Sequence, residues 1–254
     1  MGSMSQMMDP AGWWAIMSSG WSDIGHTEFW IALAKIMWIN VLLSGDNAVV
    51  IAMACRGLPH RQRIWGMILG AGVAVGLRII FTGVVASLMT LPYLKIVGGL
   101  ALFYIAAKLL VPDDPDENEA EAAEHLWRAV RIVAVADIIM SLDNVIAIAA
   151  VAGGNMALLV IGLGISIPLI VAGAALIMSL LDRFPILVWA GAALLGWIVG
   201  EVIATDPVVA GYLSHFGAAV AHRVEIGSAI VGAVLVLVVG GVWRRSKVQA
   251  ESEA

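Results

Sequence analysis

Residues 40–54 read NVLLSGDNAVVIAMA, and residues 137–152 read DIIMSLDNVIAIAAVA. A shift of 97 residues lays Asn40 on Asp137, Ser44 on Ser141, Asp46 on Asp143 and Asn47 on Asn144. Ile51 and Ala52 then fall on Ile148 and Ala149. The polar positions match as well as the apolar filler, so the pair reads as an internal repeat and not as an accident of composition. Further along, PYLKIVGGLALFYIAAK (92–108) matches PILVWAGAALLGWIVGE (185–201), pairing Pro92 with Pro185 and Lys108 with Glu201. Each repeat unit therefore extends well beyond its polar motif.

The surroundings of the repeat decide the fold class. Of 254 residues, 61% are hydrophobic and 13% charged, and the mean hydropathy is +0.95. Soluble domains lie near half apolar and a quarter charged, so this chain is built for a bilayer. Apolar runs of membrane length lie near 29–55, 64–89, 92–111, 130–152, 156–181, 185–204 and 225–243. They lack the alternation of barrel strands, and lipid admits no unsatisfied backbone, so seven helices are expected. Three spans per unit is an odd number, which forces the two units into opposite orientations. The expected fold is thus an all-α polytopic membrane protein: two inverted three-helix repeats plus one C-terminal helix.

With the N-terminus outside, ten of the fourteen Lys and Arg residues fall on the cytoplasmic side; only Lys95 and Arg223 fall outside. Lys35 and Arg78 lie within spans. This bias predicts N-out and C-in in a bacterial inner membrane. The expected divisions are an extracytoplasmic segment 1–28, the first repeat 29–111, an acidic cytoplasmic linker 112–129, and the second repeat 130–204. An extracytoplasmic loop, 205–224, and the seventh helix with its tail, 225–254, complete the chain. The linker's run PDDPDENEAEAAEHLWR reads as a solvated, flexible connection. No cleavable signal peptide is expected, because residues 1–28 carry no Lys or Arg.

At 3.6 residues per turn, Asn40, Ser44 and Asn47 share one helix face, and Asp137, Ser141 and Asn144 share the equivalent face. Asp46 and Asp143 stand beside those stripes. Gly45 favours local opening of the first helix, while Leu142 stands at the matching position of the second, so the halves are not equivalent. Carboxylate, amide and hydroxyl oxygens are hard ligands suited to Mg²⁺, Ca²⁺ or Mn²⁺. A single cysteine, Cys55, excludes an intramolecular disulfide or a cysteine cluster. Carboxylates within the bilayer usually mark an ion site or pathway. Arg78 needs a partner, which Asp46, Asp137 or Asp143 could supply.

On these motifs, the seven spans and the acidic linker, the sequence resembles the TerC family of integral membrane proteins, within the lysine-exporter-like superfamily. The resemblance covers roughly 29–243. It implies export of a divalent metal, chiefly Mn²⁺, from the cytoplasm. By position, Asp46, Asn47, Asp143 and Asn144 become the metal-site candidates, with Asn40 and Asp137 at the matching helix positions; Ser44 and Ser141 complete the set, and Arg78 balances charge. Mn²⁺ would be cargo, and no cofactor is expected. The expected partners are the bilayer and the metal ion, with no nucleic acid and with homo-oligomers allowed. An intramembrane aspartyl protease is disfavoured, since each acid is followed by Asn inside a repeat. Export of an amino acid or other organic solute, and an accessory role in metal or tellurite homeostasis, are the alternatives. A retinal photoreceptor is disfavoured, because the seventh span holds no lysine.

Overall fold

The computed structural model describes residues 25–82, 91–111, 119–152 and 155–253, without the side chains of some helical residues, 142–147 among them. The expected segment 1–28 thus lies mostly outside the described residues, as do 83–89 of the second expected span and 112–118 of the linker. Among the described residues every long element is a helix and no strand occurs. We number the helices α1 (Thr27–Leu43), α2 (Gly45–Cys55), α3 (His60–Thr82), α4 (Leu94–Lys108) and α5 (Glu119–Ala152). They are followed by α6 (Met156–Arg183), α7 (Ile186–Ala204), the short α8 (Pro207–Leu213) and α9 (Ala218–Glu253).

Seven spans were expected, but four helices are long and apolar enough to cross a bilayer: His60–Phe81, Ala157–Arg183, Ile186–Ala204 and Ala218–Gln249. The bent pair α1–α2 makes a fifth if it is one span. Helix α4 has 15 residues, about 22 Å at 1.5 Å per residue, less than the hydrocarbon thickness of roughly 30 Å. Helix α5 is long, but residues 142–147 of its apolar half have side chains outside the described residues, so it is not among the four. Pro168 sits inside a continuous α6 and does not break it.

Packing between the two halves of the chain is reciprocal. Helices α1 and α2 pack on α6, α3 packs on α5, and α4 packs on α7. First units therefore meet second units in an exchanged order. Helix α9 lies along α7 and touches α4. Its approach to α7 depends on small residues. A Cβ on Gly196 would fall 2.6 Å from the Gly232 carbonyl oxygen, and one on Gly200 would run into the Ser228 carbonyl. Ser228 Oγ donates to the Gly200 carbonyl at 3.0 Å across this contact. Close backbone approach replaces hydrophobic driving force inside lipid. Gly200→Val is expected to lower the thermal midpoint in detergent by the equivalent of about 1–3 kcal/mol, the usual range for overpacking. Gly72→Ala, where an added Cβ meets nothing within 4 Å, is the neutral comparison.

Just beyond the C-terminal end of α7 lies a structural acid. Asp206 is fully buried in what was expected to be an extracytoplasmic loop. It accepts from Val208 N–H at 3.0 Å, capping α8. It also accepts from Tyr93 N–H at 3.2 Å and Ile96 N–H at 3.3 Å, at the start of α4. One carboxylate thus satisfies orphan donors of two helix starts. The signal was present as Asp-Pro, an N-cap followed by proline at the first helical position. Asp206→Ala removes both caps, each worth about 1 kcal/mol, so a loss near 2 kcal/mol is expected in thermal unfolding.

Candidate functional site

The site begins where the first apolar run fails to stay one helix. Helix α1 ends at Leu43, α2 starts at Gly45, and the flanking segments are bent by 52°. Ser44 at the junction makes no side-chain capping bond to α2; its Oγ lies 3.3 Å from Asn40 Oδ1, to which it donates. A broken helix leaves terminal carbonyls on one piece and terminal N–H groups on the other, polar groups that lipid would not tolerate outside a protein-lined site. Helix α5 runs unbroken through Ser141, Leu142 and Asp143. Local opening at Gly45, and the inequivalence of the two halves, agree with the sequence expectation.

Arg78 of α3 draws the two repeats together. It is 2% exposed. Its Nη1 donates to Asn40 Oδ1 at 2.6 Å, and its Nη2 donates to Asp137 Oδ1 at 2.6 Å. Nη2 and Nε also donate to Ser141 Oγ, at 2.7 and 3.1 Å. One guanidinium thus bridges the positions, Asn40 and Asp137, that the repeat places in register. Of the two candidate partners whose side chains are described, Asp46 and Asp137, it is Asp137 that pairs with it; the Asp143 side chain lies outside the described residues. Planar, bidentate-capable donors suit such convergence better than a lysine point charge would.

The network leaves specific atoms unsatisfied. Asp137 Oδ2, Asn40 Nδ2 and both amide atoms of Asn47 are buried without a hydrogen-bond partner among the described residues. A buried unsatisfied polar atom costs about 1–3 kcal/mol, so four around one seam demand a reason. Asn47, Arg78 and Asp137 also line one small cavity, walled by Val50, Ala74 and Val133. Its free volume of about 10 Å³ is about what a single water or a bare ion occupies. Asp46 is half-buried at the first turn of α2, where its Oδ1 accepts from Asn47 N–H at 2.8 Å. A helix N-terminus favours a carboxylate there.

Five of the expected residues, Asn40, Ser44, Asp137, Ser141 and Arg78, are therefore joined in one buried network. Asn47 lines the same cavity, and Asp46 adjoins it in the chain. Asp143 and Asn144 have helical backbone in α5, but their side chains lie outside the described residues. Among the described residues no group of three His, Cys, Asp or Glu could hold a metal ion. Around the Arg78 guanidinium the described polar side chains at the seam are instead two carboxylates, two amides and two hydroxyls, oxygen-bearing and none soft.

At the end of the bundle where α2, α4 and α6 finish, Arg56, Arg63, Lys108, Arg128 and Arg244 border one cavity. These are five of the ten basic residues that the sequence assigns to a single side.

The profile of the Integral membrane protein TerC family matches residues 25–248. The uncharacterized membrane protein YjbE of Bacillus subtilis is 41% identical over 190 residues, 75% of this chain and 87% of its own length. Also from Bacillus subtilis, the uncharacterized membrane protein YceF is 29% identical over 167 residues, 61% of this chain and 64% of its own. A UPF0053 protein of Haemophilus influenzae is 25% identical over 183 residues, 65% of this chain and 77% of its own. No solved structure matches.

Proposed function

The chain belongs to the TerC family of integral membrane proteins, and from that premise we propose that it exports divalent cations, Mn²⁺ first, from the cytoplasm. The observation that carries the proposal is a set of unsatisfied oxygens at one cavity: Asp137 Oδ2 and Asn47 Oδ1 are buried, have no hydrogen-bond partner among the described residues, and belong to residues that border the same space. Hard oxygen donors in a site of one-ion size suit Mn²⁺, Mg²⁺ or Ca²⁺. An organic solute such as an amino acid needs far more room than about 10 Å³. Asp46, Asn47, Asp143 and Asn144 are the proposed ligands, with Asp137 entering when Arg78 leaves it.

In this reading the described arrangement is a closed one. Arg78 neutralises Asp137, and its charge keeps a second cation away. An incoming cation competes for Asp137, and the guanidinium retreats to Asn40 and Ser141. The exchanged packing of α1–α2 on α6 and α3 on α5 is read as two inverted units, whose rocking would alternate access. The excess of basic residues at one set of span ends supports a cytoplasmic C-terminus, and proton coupling through the seam's carboxylates is part of the proposal. The role is transport rather than catalysis.

The test is intracellular Mn²⁺ in cells expressing the parent, Asp46→Asn or Asp143→Asn. The parent should lower it and both variants should fail. If both variants lower it as the parent does, the ligand assignment is wrong. Metal binding without net flux would move the chain to the accessory role.

A further inference from the structure

The segment between α7 and α9, expected to be an extracytoplasmic loop, has neither the composition nor the form of a solvated one. Residues 207–216 read PVVAGYLSHF and contain no Lys, Arg, Asp or Glu. They fold as α8 followed by a 3-10 turn, Ser214–Phe216. Helices α7 and α9 pack along each other, so a short turn would suffice to join them. The extra length instead builds a structured unit of its own.

That unit has two unlike faces. Ala210, Leu213 and Ser214 border a cavity of about 470 Å³, whose other walls include Ala204 at the end of α7 and Ala218 and Ala221 at the start of α9. Val208, Tyr212 and Phe216, spaced four residues apart, do not border it and are exposed. Tyr212 is 67% exposed and Phe216 55%, and their rings touch with centroids 5.4 Å apart. An aromatic pair is thus presented outward from a stretch without charged side chains.

Hydrogen bonds to α4 fix the level of this face. Asp206, the N-cap of α8, accepts from the N–H groups of Tyr93 and Ile96. Along α4, Val97, Leu100 and Tyr104 form an exposed stripe at i, i+3 and i+7. Such a stripe on a helix of an integral membrane protein faces lipid. Leu91 and Tyr93, also exposed, stand where it ends, and α8 begins there. At the far end of the unit, exposed Val220 and Val224 open α9, and Val231, Leu235 and Val238 continue the same side of that helix. The outward face of α8 therefore joins two lipid-facing surfaces at their common edge.

We propose that α8 and its 3-10 turn lie in the membrane–water interface, with Val208, Tyr212 and Phe216 seated in the bilayer at headgroup level. Tyrosine suits that depth because its ring is apolar and its hydroxyl can stay wet. Without charged residues, the docking rests on apolar and aromatic burial and not on attraction to anionic lipid. Through Asp206 the docked unit sets the depth of the start of α4 as well as its own. The inference rests on membership of a membrane-protein family and not on the export reading.

The test uses the full chain with Cys55→Ala, in nanodiscs of phosphatidylcholine alone or mixed with phosphatidylglycerol. Nitroxide labels are attached singly through Val208→Cys, Tyr212→Cys and Phe216→Cys. Val234→Cys, exposed in the apolar run of α9, calibrates hydrocarbon, and Gln249→Cys, exposed beyond that run, calibrates water. Electron paramagnetic resonance compares collisions with oxygen, which concentrates in lipid, and with a water-soluble nickel chelate. At least two of the three labels should favour oxygen and report a depth of about 5–10 Å, the same in both lipid compositions. Nickel collisions as frequent as at Gln249 would make the segment a solvated loop. Exclusion of both reagents with an immobilised spectrum would mean that protein, from this chain or a second copy, covers the face. Either of these results overturns the proposal, and so does a depth that appears only with phosphatidylglycerol.

Discussion

Arg78→Gln is expected to destabilise the protein by about 3–5 kcal/mol, the usual cost of stranding one member of a buried ion pair. Asp137 is 3% exposed, and its Oδ1 accepts from Arg78 at 2.6 Å. Without the guanidinium, that carboxylate would be a charge in low dielectric with one oxygen already unbonded. Adding Asp137→Asn should restore most of the loss, because the double variant buries two amides and no charge. A double-mutant cycle in thermal or denaturant unfolding measures this directly. Strong coupling is the expected result. Strictly additive losses would mean that the pair does not hold the seam together.

Asp46→Asn is expected to do the reverse: little harm to the fold, severe harm to export. The contact described for its carboxylate is Asn47 N–H at 2.8 Å, which an asparagine oxygen can still accept. What disappears is one unit of negative charge beside the proposed cation site. At an effective dielectric near 20, a pair of unit charges at 4 Å is worth about 4 kcal/mol, so a fall in Mn²⁺ export approaching about a thousandfold is expected. Ser44→Ala loses a hydrogen bond of 3.3 Å and should change export by only about severalfold. Equal export by parent and Asp46→Asn at matched expression would remove Asp46 from the ion's path.

The repeat made much of this seam legible. Asn40 and Asp137 are equivalent under the 97-residue shift, and both are bonded to the same guanidinium. The break next to Gly45 follows from a glycine in a helix whose neighbours are polar. Asp46 was placed one residue off the stripe, about 100° around a regular helix, and it is half-buried beside the network and not knotted into it. Other features were not legible because they depend on contacts distant in sequence. Asp206 gains its importance from Tyr93 and Ile96, more than a hundred residues away. The third expected span begins late because Tyr93, with φ of 67°, sets the start of α4 at Leu94, and it ends early at Lys108. Hydropathy averages cannot detect a left-handed residue. Five of the basic residues that the sequence assigns to a single side border one cavity, but its concavity depends on the packing of six helices.

The central claim is that the polar seam moves a divalent cation, and flux into proteoliposomes tests it most directly. Purified parent, Asp46→Asn and Asp137→Asn proteins would be reconstituted, and Mn²⁺ uptake followed with Mg²⁺ and Ca²⁺ as competitors, with and without a pH gradient. The predicted result is saturable Mn²⁺ flux by the parent, competed by divalent ions and lost in both variants. Parent vesicles no more permeable to Mn²⁺ than protein-free vesicles, under either gradient condition, would contradict it.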